Sequence, residues 1–373
     1  MKKRRFIALT LLLALIMASA ALAEAGGVQL QLVSVQSDGG TVGRCAVPEG
    51  CELSSAVSYC GAGQSLGYPM QLSIDARTPD GRTTYAYCSA TSYLQILESK
   101  MNGQTVAVQQ DGQYDMTTMT PMLTLRDAAG YADYMITSMY PGVQIIVADE
   151  AEITPEVQAI INQHMQQSYQ DLNAIFAGDP MASVDDVFFD VAERSYTFES
   201  DGEAYRATLL TAVDAMQLSQ RMDSGVLSVE ECFISWEVPF VYALIAPEAE
   251  YGAAWAAFDL FVLNTSASDG FNEACLALSN QIRTAVLESR SLAVGADSCR
   301  SSVSGLSDSA SDYSAERFSD YLFSQDDYTL DDGRHVKIPI EYDYVYVGDN
   351  GSVYATDSAL DEPAGMRRLE KNH

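Results

Sequence analysis

Residues 188–216 read FFDVAERSYTFESDGEAYRATLLTAVDAM. Two runs rich in phenylalanine, tyrosine, threonine and valine meet at Asp201-Gly202, a pair that accepts the positive φ angles of a two-residue β-turn. The stretch predicts an antiparallel hairpin with strands at 188–200 and 205–216. Similar signals lie on both sides of it. Residues 68–77 and 83–89 flank Pro79-Asp80-Gly81, where proline presets one turn angle and glycine takes the other. Val28, Leu30 and Leu32 alternate with Gln29 and Gln31, the period of a half-buried strand. Residues 143–149 and 233–245 read as further strands. Pro239 within the second implies an edge or a bulge, because proline cannot donate to a sheet ladder.

Helical spacing interrupts these strands. Residues 123–139 form one helical stretch, stopped by Pro141-Gly142. Residues 155–176 form the clearest helix: Thr154 is its cap, Pro155 its first residue, and Val157, Ile161, Met165, Leu172 and Phe176 mark one face. Two more helices are read at 251–264 and 271–291, the second with Cys275, Leu278, Ile282, Ala285 and Val286 on one side. The expected fold class is α+β, an antiparallel sheet with packed helices.

The chain begins with Lys2, Lys3, Arg4 and Arg5, continues with an apolar run over 6–17, and reaches Ala21-Leu22-Ala23. That order of charged, apolar and small-x-small segments is a secretory signal, expected to be cleaved after residue 23. The expected location is secreted or extracytoplasmic, with no membrane insertion after cleavage. From 298 to 314 serine dominates, a linker composition. The expected organisation is a signal peptide at 1–23, an α+β body at 24–297, a linker at 298–314, and a small module at 315–373. In that module a helix around Phe318, Tyr321 and Leu322 precedes hairpins turning at Asp331-Asp332-Gly333 and Asp349-Asn350-Gly351.

A net charge of −30 repels phosphate backbones and anionic lipid surfaces, which excludes nucleic acid as an expected partner. With 47% hydrophobic and 19% charged residues the chain has the means to bury a core. Of seven cysteines, four lie early: Cys45, Cys51, Cys60 and Cys88. An oxidising compartment leads us to expect at least one disulfide among them, with connectivity open.

Reactive motifs do not survive their context. Gly63-Gln64-Ser65-Leu66-Gly67 has the letters of a nucleophile elbow, but a strand-like segment follows it where a helix is required. His164 falls in the long helix and His335 in a hairpin strand. No zinc-ligand spacing occurs, and neither acidic glycine turn completes a calcium loop. Carboxylate pairs such as Asp185-Asp186 and Glu230-Glu231 are commonplace in so acidic a chain. No catalytic residue, metal or cofactor is expected. Tyr342, Tyr344 and Tyr346 alternate and so share one face of a strand, a candidate surface for a sugar or peptide and equally a packing stripe.

Two resemblances add to this reading. Phe318-Ser319-Asp320-Tyr321, Val336-Lys337-Ile338-Pro339, the tyrosine strand, Asn350-Gly351-Ser352-Val353-Tyr354 and Thr356-Asp357-Ser358 resemble the C-terminal segment of an uncharacterised family of bacterial exported proteins. The central region resembles the PsbP-like α/β/α sandwich through Val47-Pro48-Glu49-Gly50, Thr78-Pro79-Asp80-Gly81 and the order of helices and hairpins. That resemblance implies a binding or assembly factor without shared catalytic residues. The expected function is a secreted, noncatalytic protein that binds a protein or glycan; the alternative is a secreted hydrolase whose site the sequence does not reveal.

Overall fold

The computed structural model describes residues 28–37, 40–59, 68–108, 111–115, 120–153, 155–177, 181–223, 228–275, 277–279, 281, 325–330, 332–339, 342–349, 351–358 and 363–371. The expected signal segment, the serine-rich linker and the helix around Phe318 lie outside these residues.

The chain opens with β1 (Val28–Ser37), β2 (Gly40–Pro48), β3 (Glu52–Tyr59), β4 (Met70–Arg77), β5 (Thr84–Met101) and β6 (Gln104–Thr105). Then come α1 (Ala128–Met139), β7 (Ile146–Glu150), α2 (Pro155–Phe176), β8 (Ala182–Ser200), β9 (Glu203–Asp223) and β10 (Ser228–Pro247). After α3 (Tyr251–Asn264) and β11 (Ser266–Ala267), the C-terminal part supplies β12 (Gln325–Thr329), β13 (His335–Pro339), β14 (Tyr344–Gly348), β15 (Ser352–Thr356) and β16 (Met366–Arg368).

The strands make antiparallel sheets. The larger has the order β3-β4-β5-β10-β9-β8-β7, with β6 also on β5; the smaller has the order β11-β2-β1-β15-β14-β16; β12 and β13 pair by themselves. Strand accounts for 56% of the structure and helix for 21%. This corrects the α+β expectation, and with it the helix-packed PsbP-like sandwich: the protein is mostly antiparallel β-sheet. The reason is strand length. β5, β8, β9 and β10 run 18, 19, 21 and 20 residues. Their outer parts hold serine, glutamine and charged residues, many of them half-buried or exposed, so no apolar alternation marks them as strand.

The hairpin expected around Asp201-Gly202 is present as β8 and β9, with Asp201 and Gly202 both at positive φ. Pro239 resolves to a bulge in a central strand and not to an edge. Between Glu237 and Val241 β10 slips against β9, while its other neighbour β5 stays in step. The extra residue changes which side chains face which way. Trp236 and Val238 pack beneath α1, and beyond the bulge the odd-numbered Val241, Ala243 and Ile245 take over that face.

The main core lies between the two sheets. Leu30, Cys45 and Val47 from the smaller sheet meet Leu72, Leu210, Tyr242 and Leu244 from the larger. α3 is buried there too, because YGAAWAAFDLFVLN carries a single charge and is apolar on nearly every side. Phe258, Leu260 and Phe261 are all fully buried. Val336 and Ile338 of β13 and Val345 and Val353 of β14 and β15 complete the same core. Residues on both sides of the serine-rich stretch thus share one interior, and β15 pairs directly with β1. α1 covers the opposite face of the larger sheet, and α2 packs Leu172 against Val184 and Val187 of β8.

Candidate functional site

The three tyrosines do not form one open face. Tyr346 is buried at 3% exposure, its ring 6.4 Å from that of Tyr354. Tyr344 is half-buried with the Arg368 guanidinium 4.6 Å over its ring, and Tyr342 is half-buried against the main core. Each has a packing partner. Cys45, Cys51 and Cys88 are present as thiols, and Cys60 lies outside the described residues. Burial pushes the Cys45 thiol up to about 12 and that of Cys88 to about 11.

The histidine and serine of the hydrolase alternative gain no support from geometry. Ser65 lies outside the described residues. His335 is exposed, and its Nδ1 is 3.1 Å from Asp327 and 3.5 Å from the Thr329 hydroxyl. Both neighbours sit on the same ring nitrogen, whereas a relay needs the carboxylate and the hydroxyl on opposite ones. Among the described residues no group of three or more histidine, cysteine or acidic side chains is placed to hold a metal ion, and no helix is long and apolar enough to cross a membrane.

A different place brings polar chemistry together. Where β8, β9, β10 and β5 run on beyond α1, an open groove of about 320 Å³ lies across them. Antiparallel register builds it. Ser183, Ser219, Cys232 and Glu98 stand directly opposite one another across the four strands. Two residues further along lies the row Arg221, Glu230 and Lys100. A spacing of two puts both rows on one face.

One ion pair joins the rows and another lies within the second row. Lys100 Nζ is 2.8 Å from Glu98 Oε1, and Arg221 Nε is 3.7 Å from Glu230 Oε1. The hydrogen bond to Glu98 pushes the Lys100 ammonium above its usual range. Asp185 collects the small donors: Ser183 Oγ at 3.2 Å, Ser219 Oγ at 2.5 Å and the Cys232 thiol at 3.9 Å. The intervening row is tied by Glu231, which accepts from Gln220 Nε2 at 2.8 Å and from Ser99 Oγ at 3.4 Å. The groove therefore offers two positive and three negative side chains, four of them in opposite-charge pairs, with the Ser183 and Ser219 hydroxyls beside them. It contains no histidine and no aromatic ring. A paired charge can exchange its partner for one on a ligand, while a sugar face would call for an aromatic platform.

By sequence alone Asp185-Asp186 and Glu230-Glu231 are commonplace in so acidic a chain. Asp185, Glu230 and Glu231 all belong to this groove or its support. What distinguishes them is their cross-strand partners, and that signal exists only once register is known.

Comparison with protein-family models, curated proteins and solved structures finds no match for the chain.

Proposed function

We propose that this chain is a noncatalytic binding protein acting outside the cytoplasm, and that the groove across β8, β9, β10 and β5 receives an extended, charge-bearing segment of another protein. One observation carries the reading: Glu98, Lys100, Arg221 and Glu230 form two opposite-charge pairs on a ring-free surface that also holds Glu231 and the Ser183 and Ser219 hydroxyls. Such pairs are worth little to stability when exposed, so retaining them costs the fold little and leaves them available to a ligand. The location rests on the Lys2 to Ala23 signal pattern.

Selection from a random peptide display library tests it. Enriched peptides are expected to carry both charges and to lose at least about tenfold in affinity to a Lys100→Gln, Arg221→Gln variant, with its melting temperature little changed. No enrichment, or equal binding by the variant, sinks the assignment.

A further inference from the structure

The two edges of the larger sheet are built in opposite ways. β7 has five residues, a register shift between Val147 and Asp149, and two acids at its end. Shortness, irregularity and charge are the devices that stop one sheet edge pairing with another. β3 has none of them beyond a terminal Glu52. Its eight residues, ELSSAVSY, pair with β4 in unbroken register from Glu52↔Arg77 to Tyr59↔Met70. The opposite side of β3 pairs with no strand among the described residues. It contains no lysine, arginine or proline, and six of its eight side chains are exposed: Ser54, Ser55, Ala56 and Ser58 are small, and Glu52 and Tyr59 are the large ones. In a chain of net charge −30 this is a nearly neutral, pairing-competent strip.

We propose that β3 pairs antiparallel with β3 of a second copy of this chain, joining two larger sheets into one. The strand has a self-complementary register centred on Ser55. A two-fold axis through a continuous antiparallel sheet keeps each face on its own side, so residues directly opposite must have the same facing. Centring the axis on Ser55 meets that condition. It sets Leu53 beside the second copy's Val57, and Val57 beside its Leu53. Leu53 and Val57 are half-buried and already pack against the main core, so the pairing extends that apolar face across the junction. Ser54 then stands beside Ala56, and Glu52 beside Ser58. The two Glu52 carboxylates lie six residues apart along the strands, about 20 Å, which is roughly two Debye lengths at physiological salt. The only charges of the strip do not oppose each other.

The test is sedimentation of the purified protein over about a hundredfold range of concentration, where a monomer–dimer equilibrium is expected. Ser55 is exposed, so Ser55→Lys and Ser55→Glu are each expected to fold with unchanged melting and to weaken the dimer at least about tenfold, because like charges meet on the axis. Mixing the two variants is expected to restore a heterodimer. In hydrogen exchange the β3 amides are expected to gain protection with concentration. A wild-type monomer at every concentration overturns the proposal, whether or not a foreign peptide then protects those amides. So does a dimer indifferent to either Ser55 variant. Neither result bears on the groove, which lies across other strands.

Discussion

The Asp190 carboxylate on β8 accepts a hydrogen bond from the backbone amide of Ala128, the first residue of α1, at 2.8 Å. Asp127 caps the same helix from within, its Oδ1 accepting from Gly130 at 2.7 Å, and Thr211 Oγ1 donates to the Ala128 carbonyl at 2.8 Å. The start of α1 is thus fixed to the sheet by two strands as well as by its own cap. Asp190→Ala is expected to cost about 1 kcal/mol in urea unfolding, the usual worth of a cap, and to raise exchange of the first-turn amides selectively. An unchanged midpoint would show the sheet contact to be idle.

The same carboxyl yields a pH test. Burial pushes the Asp190 carboxyl above its usual range, and the amides of Ala128 and Val191 pull it back only in part. A raised carboxyl binds its proton more tightly in the folded state, so its stabilising effect is complete at low pH and is lost as pH rises through the folded value. Wild type is therefore expected to lose stability relative to Asp190→Asn as pH climbs through the carboxylate range. A gap that widens in favour of wild type would reverse the sign.

Cys45 gives an alkaline counterpart. Its buried thiol has been moved from 9.0 to about 12, so it contributes stability below pH 9 that disappears between pH 9 and about 12. Urea unfolding of Cys45→Val is expected to decline less steeply over that window than wild type. Intact mass of the protein, compared with that of Cys45→Val, shows whether Cys45 is instead bridged, since each disulfide removes two hydrogens. A bridged Cys45 would abolish the difference in slope.

The bulge at Pro239 predicts a severe deletion. Removing that one residue restores step between β10 and β9 but turns Trp236 and Val238 away from α1, or else Val241, Ala243 and Ile245. Loss of cooperative unfolding is the expected result, whereas Pro239→Ala keeps the spacing and is expected to remain folded. A deletion variant with a wild-type melt would show that the facing is not set there.

Gly43 predicts a milder effect. A Cβ built on it would stand 2.9 Å from the Ser266 carbonyl and 3.0 Å from Leu72 Cδ2. Gly43→Ala is expected to push β11 off β2 and cost about 1–3 kcal/mol, the usual range for an overpacked site. Full retention of stability would mean that β11 moves freely.

Local signals were legible where chemistry is local. The Asp201-Gly202 turn, the helix Pro155–Phe176 and the apolar helix Tyr251–Asn264 all stand where spacing and caps put them. What misled was scale. Residues such as Gln217, Ser219, Arg221 and Glu230 are strand because their neighbours in β8, β9, β10 and β5 hold them, and nothing in their own order alternates. β2 and β3 were missed because Gly40 and Gly43 weaken the signal of β2 and serine weakens that of β3. The groove was invisible for the same reason: its charges lie far apart in sequence and meet only through register.

The pairing of Val28 with Ala355 has a consequence for timing. Polypeptides emerge from the N-terminus at roughly ten residues per second, so β1 precedes its neighbour β15 by on the order of half a minute. Until the last strands arrive, the smaller sheet has only its β1–β2 side, and the apolar residues that face Val345 and Val353 have nothing to meet. Completion of this fold is coupled to completion of the chain, and a product shortened ahead of β14 is left with an open interior for chaperones and proteases to find.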